Sequence, residues 1–254
     1  MKSAKTKAKN LIPLITIIIV LAIWQAVSMA EIIPNYMLPS PVQMIQAFIL
    51  DFPLLMYHLK VTIVEAVIGL AIGCGLGFAV AVLMDSFDGA RRAVYPLLVI
   101  TQTIPTVAIA PLLILWLGYA EAPKIVLVVI TSFFPLAVAL LDGFTSVDVD
   151  TLNLMKSMGA GRAQLFYHLK IPASLGRFFS GLRISATYSI VSAVIAEWIG
   201  GYAGLGVYMM RVKKSYSYDK MFAVILLIVL LSLGLIWVIK KVEKKAMPWR
   251  KEKI

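Results

Sequence analysis

Six long apolar blocks occupy most of this 254-residue chain, and each approaches the length that a helix needs to cross a lipid bilayer. About 20 consecutive apolar residues span the hydrocarbon core as an α-helix, which satisfies its own backbone hydrogen bonds inside lipid. The blocks therefore predict an all-α integral membrane protein that forms one transmembrane domain over residues 1–254. The six helices are expected at about 11–30, 59–84, 93–117, 124–141, 178–199 and 221–239.

The composition agrees with a membrane protein and argues against several other classes. Apolar residues make up 61% of the chain and charged residues 15%, whereas soluble proteins average roughly 45–50% and about 25%. The single cysteine, Cys74, excludes an intramolecular disulfide. His58 and His168 form no H-E-x-x-H or similar spacing, so we expect no metal site and no catalytic centre.

The basic residues lie at the ends of the apolar blocks and predict the orientation of the chain. Residues 1–10 carry four lysines and no acid, the tail from Lys240 carries seven basic and two acidic residues, and 148–177 carries four Lys or Arg and two Asp. Six helices place these segments on one side, which the positive-inside rule assigns to the cytoplasm. The loop 200–220, with four basic residues and one acid, disagrees. Membrane anchoring explains the net charge of +11 better than nucleic acid does.

Residues 11–30 have a second interpretation, the apolar segment of a cleaved signal peptide. The block is long for such a segment, and the lysine-rich start fits an uncleaved first helix equally well. We therefore expect a multi-pass protein with both termini in the cytoplasm.

The longest polar interruption, residues 151–183, has the pattern of two short amphipathic helices. Gly159-Ala160-Gly161 separates them, and Pro172 is expected to end the second because proline lacks an N–H and clashes with the preceding turn. Apolar side chains recur along both helices, at Leu152, Met155, Leu165, Phe166 and Leu169. Such a pair on the cytoplasmic side contacts either a soluble partner or the lipid surface.

Small and polar side chains inside the apolar blocks suggest either close helix packing or a pathway. Gly69, Gly73 and Gly77 recur at steps of four, which favours packing within the chain over a dimer seam. Prolines 96, 105 and 111 interrupt the third block, beside Gln102 and Thr103. The fifth block presents a face with three serines and ends near an acid. The candidate pathway residues are Gln102, Thr103, Ser185, Ser189, Ser192 and Glu197.

Two other acidic positions have open interpretations. Glu65 is either a buried functional acid or, as we favour, a solvated residue near the outer end of the second helix. Glu197 is expected near the outer mouth beside Trp198, in contact with substrate or with an external protein.

The interruption resembles the signature "EAA" loop of ABC importer permeases. Gly159 takes the position of the family glycine, Pro172 that of the first proline, and Gly181-Leu182-Arg183 matches the G-L-R that follows. The chain departs from the family where Asn153-Leu154-Met155 replaces the E-A-A triplet and Gly176 replaces the second proline.

The resemblance extends over about residues 36–240 and is specific for the nitrate/sulfonate/taurine branch. The matching segments are Met37–Pro41, Ile104–Pro105, Ala110–Gly118, Pro123–Ile125, Ala196–Glu197 and Gly204–Gly206. The run from Gly204 to Tyr216 is similar to members that carry thiamine pyrimidine precursors.

The resemblance implies a type I ABC importer permease with six transmembrane helices and a cytoplasmic coupling helix between the fourth and fifth, in the loop 148–177. It also implies a dimer of cytoplasmic ATPase subunits that bind the ATP, an external substrate-binding protein, a second permease copy and a bacterial plasma membrane. We expect the basic loop 200–220, including Tyr208, to contact this binding protein. The chain itself has no phosphate-binding loop and is expected to bind no cofactor. The residues implied in ATPase coupling are Met155, Gly159, Ala160, Arg162, Leu165, Phe166, Lys170 and Pro172.

Two other classes of function compete with this one. An ion-gradient-driven secondary transporter would need acids deep in helices and internal repeats, neither of which is clear here. An intramembrane enzyme would need a convergent set of ionisable groups, and Glu65, Glu197 and Arg183 stand near different ends of their helices.

Overall fold

The structure is a computed structural model that describes residues 2–249, with side chains described from Leu11 onward. The lysines before Leu11 and the basic residues after Trp249, which the orientation argument uses, lie outside these described side chains. Within residues 2–249 every regular element is helical. The helices are α1 (Lys2–Met29), α2 (Pro41–Leu50), α3 (Phe52–Ser86), α4 (Asp88–Thr103), α5 (Thr106–Leu117), α6 (Ala122–Thr145), α7 (Val149–Ser157), α8 (Arg162–Leu165), α9 (Ile171–Gly200), α10 (Leu205–Lys214) and α11 (Tyr218–Ala246), and a π-helical turn (Phe166–Lys170) joins α8 to α9.

Among the described residues, five helices are long and apolar enough to cross a membrane, and a bent pair, α4 with α5, makes a sixth candidate. The two members of this pair meet at an angle of 98°. Helical structure continues through Pro96 and Pro111 but stops at Ile104-Pro105. The predicted third helix, 93–117, is therefore two helices. Its break falls at the proline whose flanking residues we predicted to line a pathway.

No helix was predicted between residues 30 and 59, but α2 and the start of α3 lie there, and each has a proline in its first turn. Pro41 occupies the first turn of α2, and Ser40 and Gln43 form a capping box in which the Gln43 N–H donates to Ser40 Oγ at 3.2 Å. Pro53 lies in the first turn of α3, which begins before the predicted residue 59. Proline is favourable at these positions because the first N–H groups of a helix have no partner within it.

The predicted loop 200–220 was also wrong, since ten of its residues, Leu205–Lys214, form α10. The remaining predicted helices were too short. Charged or small residues that we placed in flanking loops continue α6 to Thr145, begin α9 at Ile171 and extend α11 from Tyr218 to Ala246.

The chain divides into two compact units. The first comprises Met1–His58 and Tyr208–Leu227, and the second comprises Leu59–Val207 and Ile228–Ile254. In the first unit, Met44, Ala47 and Ala223 form a small buried cluster against which Trp24 and Phe222 pack. Trp24 Nε1 also donates a hydrogen bond to the Pro39 carbonyl oxygen at 3.0 Å.

In the second unit α6 and α9 run antiparallel and pack along their lengths through small residues. Gly143 lies against Ser174, Gly181 lies against Ala139, and Ser185 Oγ donates to the Ser132 carbonyl oxygen at 2.6 Å. Small side chains let two helix backbones approach closely, which is a main source of association energy inside a membrane. These two helices form the centre of the second unit.

The glycine row of α3 packs against α6 within the same chain, which confirms the favoured interpretation. A Cβ added to Gly69 would lie 2.5 Å from Val128 Cβ, and one added to Gly77 would lie 2.8 Å from the Phe133 carbonyl oxygen. An added Cβ at Gly73 would overlap Ser132 Oγ. The row is therefore a seam between two helices of one subunit.

Replacing Gly77 by Ala should destabilise the protein by about 1–3 kcal/mol, because the new methyl group meets backbone atoms of α6 that cannot move independently. Gly75 on the same helix is the matched control: an added Cβ there meets nothing within 4 Å. Gly75→Ala should be neutral or stabilise by up to about 1 kcal/mol through helix propensity. Thermal unfolding in detergent measures both, and equal shifts for the two variants would contradict the assigned seam.

Candidate functional site

The segment between α6 and α9 contains the predicted helix–glycine–helix arrangement. Asp148 caps α7 by accepting hydrogen bonds from the Thr151 N–H at 3.1 Å and the Thr151 hydroxyl at 2.9 Å. These bonds hold the pKa of the exposed Asp148 carboxyl below its ordinary value. A cap that satisfies free N–H groups at a helix start stabilises a short helix that has little tertiary support.

The break after α7 requires a glycine at position 159. Gly159 has a φ of +85°, and its N–H donates to the Lys156 carbonyl at 2.9 Å while the Ala160 N–H donates to the Met155 carbonyl at 3.0 Å. This is the hydrogen-bond pattern of a Schellman helix end, whose left-handed residue is usually glycine because a Cβ is strained there. Gly159 therefore sets the direction in which the chain leaves α7.

The prediction that Pro172 ends the second short helix was wrong. The chain is helical without interruption from Arg162 to Gly200, and Pro172 lies in the first turn of α9. The π-helical turn directly before it is closed by a hydrogen bond from the Ile171 N–H to the Phe166 carbonyl. A π-helical turn widens the helix, so the residue without an N–H is accommodated and the helix continues.

The side chains of this segment divide between the membrane helices and solvent. Leu165 is buried, and Phe166 packs against Phe144 of α6 with ring centroids 5.3 Å apart. These two side chains therefore face the protein's own core. The large apolar side chains that are exposed are Val149, Leu154, Met158 and Tyr167. Of the other predicted coupling residues, Gly159, Arg162 and Pro172 are exposed, and Met155 and Ala160 are partly buried.

Lys170 pairs with Asp85 at the end of α3. Its Nζ lies 2.7 Å and 2.8 Å from the two carboxylate oxygens, and the side chains are 21% and 8% exposed. Lys170 is one of the residues that the resemblance implied in ATPase coupling, and in this structure it connects the π-helical turn to α3. The sequence contained no indication of this pair, whose members are 85 residues apart.

The candidate pathway residues occupy two different environments. Gln102 and Thr103 are exposed at the break between α4 and α5. Ser185, Ser189 and Ser192 are buried, and the Ser189 hydroxyl donates to the Ala186 carbonyl at 2.8 Å. The structure does not bring the serines together with Gln102 and Thr103 into one described site, and the role of all five in transport stays a prediction.

Glu197, the sixth pathway candidate, is almost fully buried and is held by hydrogen bonds from two directions. Thr62 Oγ1 donates to its Oε1 at 2.7 Å, and the Gly206 N–H donates to its Oε2 at 2.7 Å. The Leu205 N–H in turn donates to Thr62 Oγ1 at 2.9 Å. Gly204, with a φ of +127°, lies so close to Glu197 that a Cβ would overlap the carboxylate. Glu197 thereby holds the junction between α9 and α10.

The favoured interpretation of Glu65 as a solvated residue was wrong. Its side chain is 2% exposed and accepts a hydrogen bond from Lys124 Nζ of α6, which is also buried. The signal was available in the sequence, because an ionisable residue inside an apolar helix requires a partner. The identity of that partner depended on the tertiary packing of α3 against α6.

In the first unit, sequence reasoning missed a cluster around Asp51. The Tyr208 hydroxyl donates to Asp51, and Lys220 Nζ lies 2.8 Å from the same carboxylate. Burial raises the pKa of Asp51, but the bonds from Lys220 and Tyr208 outweigh it and hold the value below the ordinary one. Tyr208 is 3% exposed, so it does not provide the external contact that we expected of the loop 200–220.

The sequence of this chain is similar to that of permeases from known transport systems. Residues 69–247 match the family described as "Binding-protein-dependent transport system inner membrane component". The formylaminopyrimidine transport permease protein ThiX of Halalkalibacterium halodurans is 37% identical over 98% of this chain and 99% of its own. The putative aliphatic sulfonates transport permease protein SsuC of Bacillus subtilis is 27% identical over 91% of this chain and 85% of its own.

Among solved structures, an amino acid ABC transporter crystallised with histidines superposes with a TM-score of 0.66 at 16% identity, over 79% of this chain and 97% of that chain. At this identity the likeness concerns the fold alone. The fold is that of a type I ABC importer permease, as the sequence predicted.

The Asp85–Lys170 pair should show strong energetic coupling. Asp85→Asn or Lys170→Met alone leaves a partly buried charge without its partner and should cost about 1–3 kcal/mol. The double variant removes both charges and should be more stable than the sum of the two single losses predicts. Thermal unfolding of the four proteins tests this, and simple additivity would contradict a direct interaction.

Proposed function

This chain belongs to the family of inner-membrane components of binding-protein-dependent transport systems, and we propose that two copies of it form the translocation pathway of an ATP-driven importer in the bacterial plasma membrane. Permeases of this family work in ABC importers, so the secondary-transporter alternative has no support. The single observation that carries the proposal is the segment 148–170, because it presents exposed apolar side chains on a structured support beside the membrane helices.

We assign the docking of a cytoplasmic ATPase subunit to the exposed face of this segment. Leu154, Met158 and Tyr167 are each more than 60% exposed. Arg162, which lies between Met158 and Tyr167 in the chain, is also exposed. An apolar face with a cationic residue suits a groove with an acidic rim. Leu165 and Phe166, which pack inward, transmit force to α6 rather than contact the ATPase.

The packing of this segment supports a mechanism for coupling. It is bounded by α6 and α9, which pack closely together, and the Asp85–Lys170 pair connects it to α3. When ATP draws two ATPase subunits together, a displacement of the docked helix moves these transmembrane helices as a body. Such rigid-body motion between two packed states is a common basis of switching. ATP itself is bound by the partner subunits.

The remaining features are assigned by charge and exposure. The positive-inside rule supports cytoplasmic termini and a cytoplasmic segment 148–177. An external binding protein would then meet the opposite side, where the exposed Tyr202 and Tyr216 replace the buried Tyr208 as contact candidates.

Gln102 and Thr103 are the pathway residues that we retain for contact with the solute, because they are exposed at a break in a membrane helix.

The solute that we propose is a small heterocycle of the pyrimidine type. The support is the 37% identity to a formylaminopyrimidine permease over nearly the full length of both chains, compared with 27% to a sulfonate permease. A sulfonate is the second candidate. The two differ in charge, since a sulfonate is anionic at all physiological pH values.

Reconstitution in liposomes with the cognate ATPase and binding protein tests the proposal. We expect ATP-dependent uptake of labelled formylaminopyrimidine, and excess unlabelled taurine should not reduce it. Omission of the ATPase should abolish uptake. If taurine alone were taken up with ATP, the solute would be a sulfonate and not a pyrimidine. Uptake without the ATPase would overturn the ATP-driven mechanism.

Replacing Gly159 by Trp should uncouple ATP hydrolysis from transport without unfolding the protein. A non-glycine residue at a φ of +85° costs roughly 1–2 kcal/mol, so the chain should leave α7 in another direction. Gly161→Trp is the matched control, because Gly161 has an ordinary φ of −72° and comparably open surroundings. ATPase rate and uptake are measured in the same liposomes. Normal uptake by Gly159→Trp, or equal losses in both variants, would contradict the assigned role.

A further inference from the structure

Three ionisable side chains of the second unit are buried together: Glu65 of α3, Lys124 of α6 and Glu197 of α9. They are 1%, 5% and 1% exposed. A buried charge without a partner costs several kcal/mol, so buried ionisable groups in membrane helices pair or become neutral. One ammonium group compensates one carboxylate. If both acids were ionised, the cluster would keep a net negative charge, and the exposed Glu121 nearby would add to the repulsion.

The hydrogen bonds around the two acids leave one oxygen without a donor. Glu197 accepts from Thr62 on Oε1 and from the Gly206 N–H on Oε2, and Glu65 Oε1 accepts from Lys124. Glu65 Oε2 is buried and accepts from no donor in the described structure. Thr62 cannot supply one, because its single hydroxyl proton is directed at Glu197.

Glu65 lies one turn after Thr62 on the same face of α3. Because Thr62 donates to Glu197, this places the two carboxyl groups next to each other, where a hydrogen bond between them can form. Two ionised carboxylates are both acceptors and cannot form such a bond. One proton held by either acid turns it into a donor, satisfies Glu65 Oε2 and removes the excess negative charge. A single proton thus resolves both the charge imbalance and the missing donor.

We propose that Glu65 and Glu197 together bind one proton, held in a hydrogen bond between their carboxyl groups, and that this proton makes the cluster with Lys124 electrically neutral. The proton is taken from water, and no electron is transferred. The site anchors the junction between α9 and α10, because Glu197 accepts from Gly206 and lies against Gly204. Loss of the proton at alkaline pH leaves two repelling carboxylates beside this junction and weakens it.

Infrared spectroscopy of the full-length permease in lipid nanodiscs tests the proposal without a change in the sequence. The wild-type protein should show the C=O stretching band of a protonated carboxyl group at neutral pH, shifted on transfer to D2O and lost at high pH. Absence of this band at neutral pH would overturn the proposal.

Isosteric variants assign the band to this cluster. Glu65→Gln and Glu197→Gln each leave one carboxylate for Lys124, so each should lose the band and still fold. Lys124→Met removes the cation, so both carboxyl groups should become neutral and the band should grow. Asp150→Asn replaces an exposed acid of α7 that has no part in the cluster, so this control should leave the band unchanged. A band that survives in both Glu65→Gln and Glu197→Gln would come from another group and would refute the assignment.

Discussion

The close antiparallel contact between α6 and α9 is the interaction on which the rest of the second unit depends. Glycine, alanine and serine side chains on both helices remove the bulk that would hold two backbones apart, so the helices touch directly through Gly143, Gly181 and Ser185. In lipid the hydrophobic effect gives little drive for helices to associate, and this close fit takes its place. α3 joins the pair through its own glycine row.

This contact also holds in place the segment 148–170, which we propose as the docking site of the ATPase. Residues 146–170 connect the end of α6 to the start of α9. Leu165 is buried, and the Phe166 side chain packs into the core that α6 forms with α3 and α9. A segment held at both ends by two tightly packed helices cannot move alone. The close packing of α6 on α9 would therefore let a cytoplasmic ATPase move the membrane helices through this segment.

Charged groups supply the second constraint, because each one buried in this environment needs a partner. Ion pairs join Lys170 to Asp85, Lys124 to Glu65, and Arg183 to Glu243. Each pair joins two different helical segments and so fixes their position along each other. Contacts between small apolar residues alone would allow one helix to shift along its neighbour. Glu197 lacks such a cation of its own. It is bound instead by a hydroxyl and a backbone N–H, an arrangement that suits a group sharing a proton.

The amino-acid sequence by itself determined the class of the protein, the order of its membrane helices and the position of the helix–glycine–helix segment that we propose as the docking site. These depend on local properties: the length of an apolar run, the missing N–H of proline and the left-handed conformation that glycine permits at position 159. The sequence was less reliable for helix ends, because Pro41, Pro53 and Pro172 lie in first turns rather than in breaks.

Only the tertiary structure decided which side chains meet. The sequence favoured a solvated Glu65, whereas the packing of α3 on α6 places it beside Lys124. The resemblance implied that Leu165 and Phe166 take part in coupling, whereas the fold buries Leu165 and packs Phe166 against Phe144 of α6. These outcomes depend on contacts between residues far apart in the chain, and no local pattern encodes the distance between two helices.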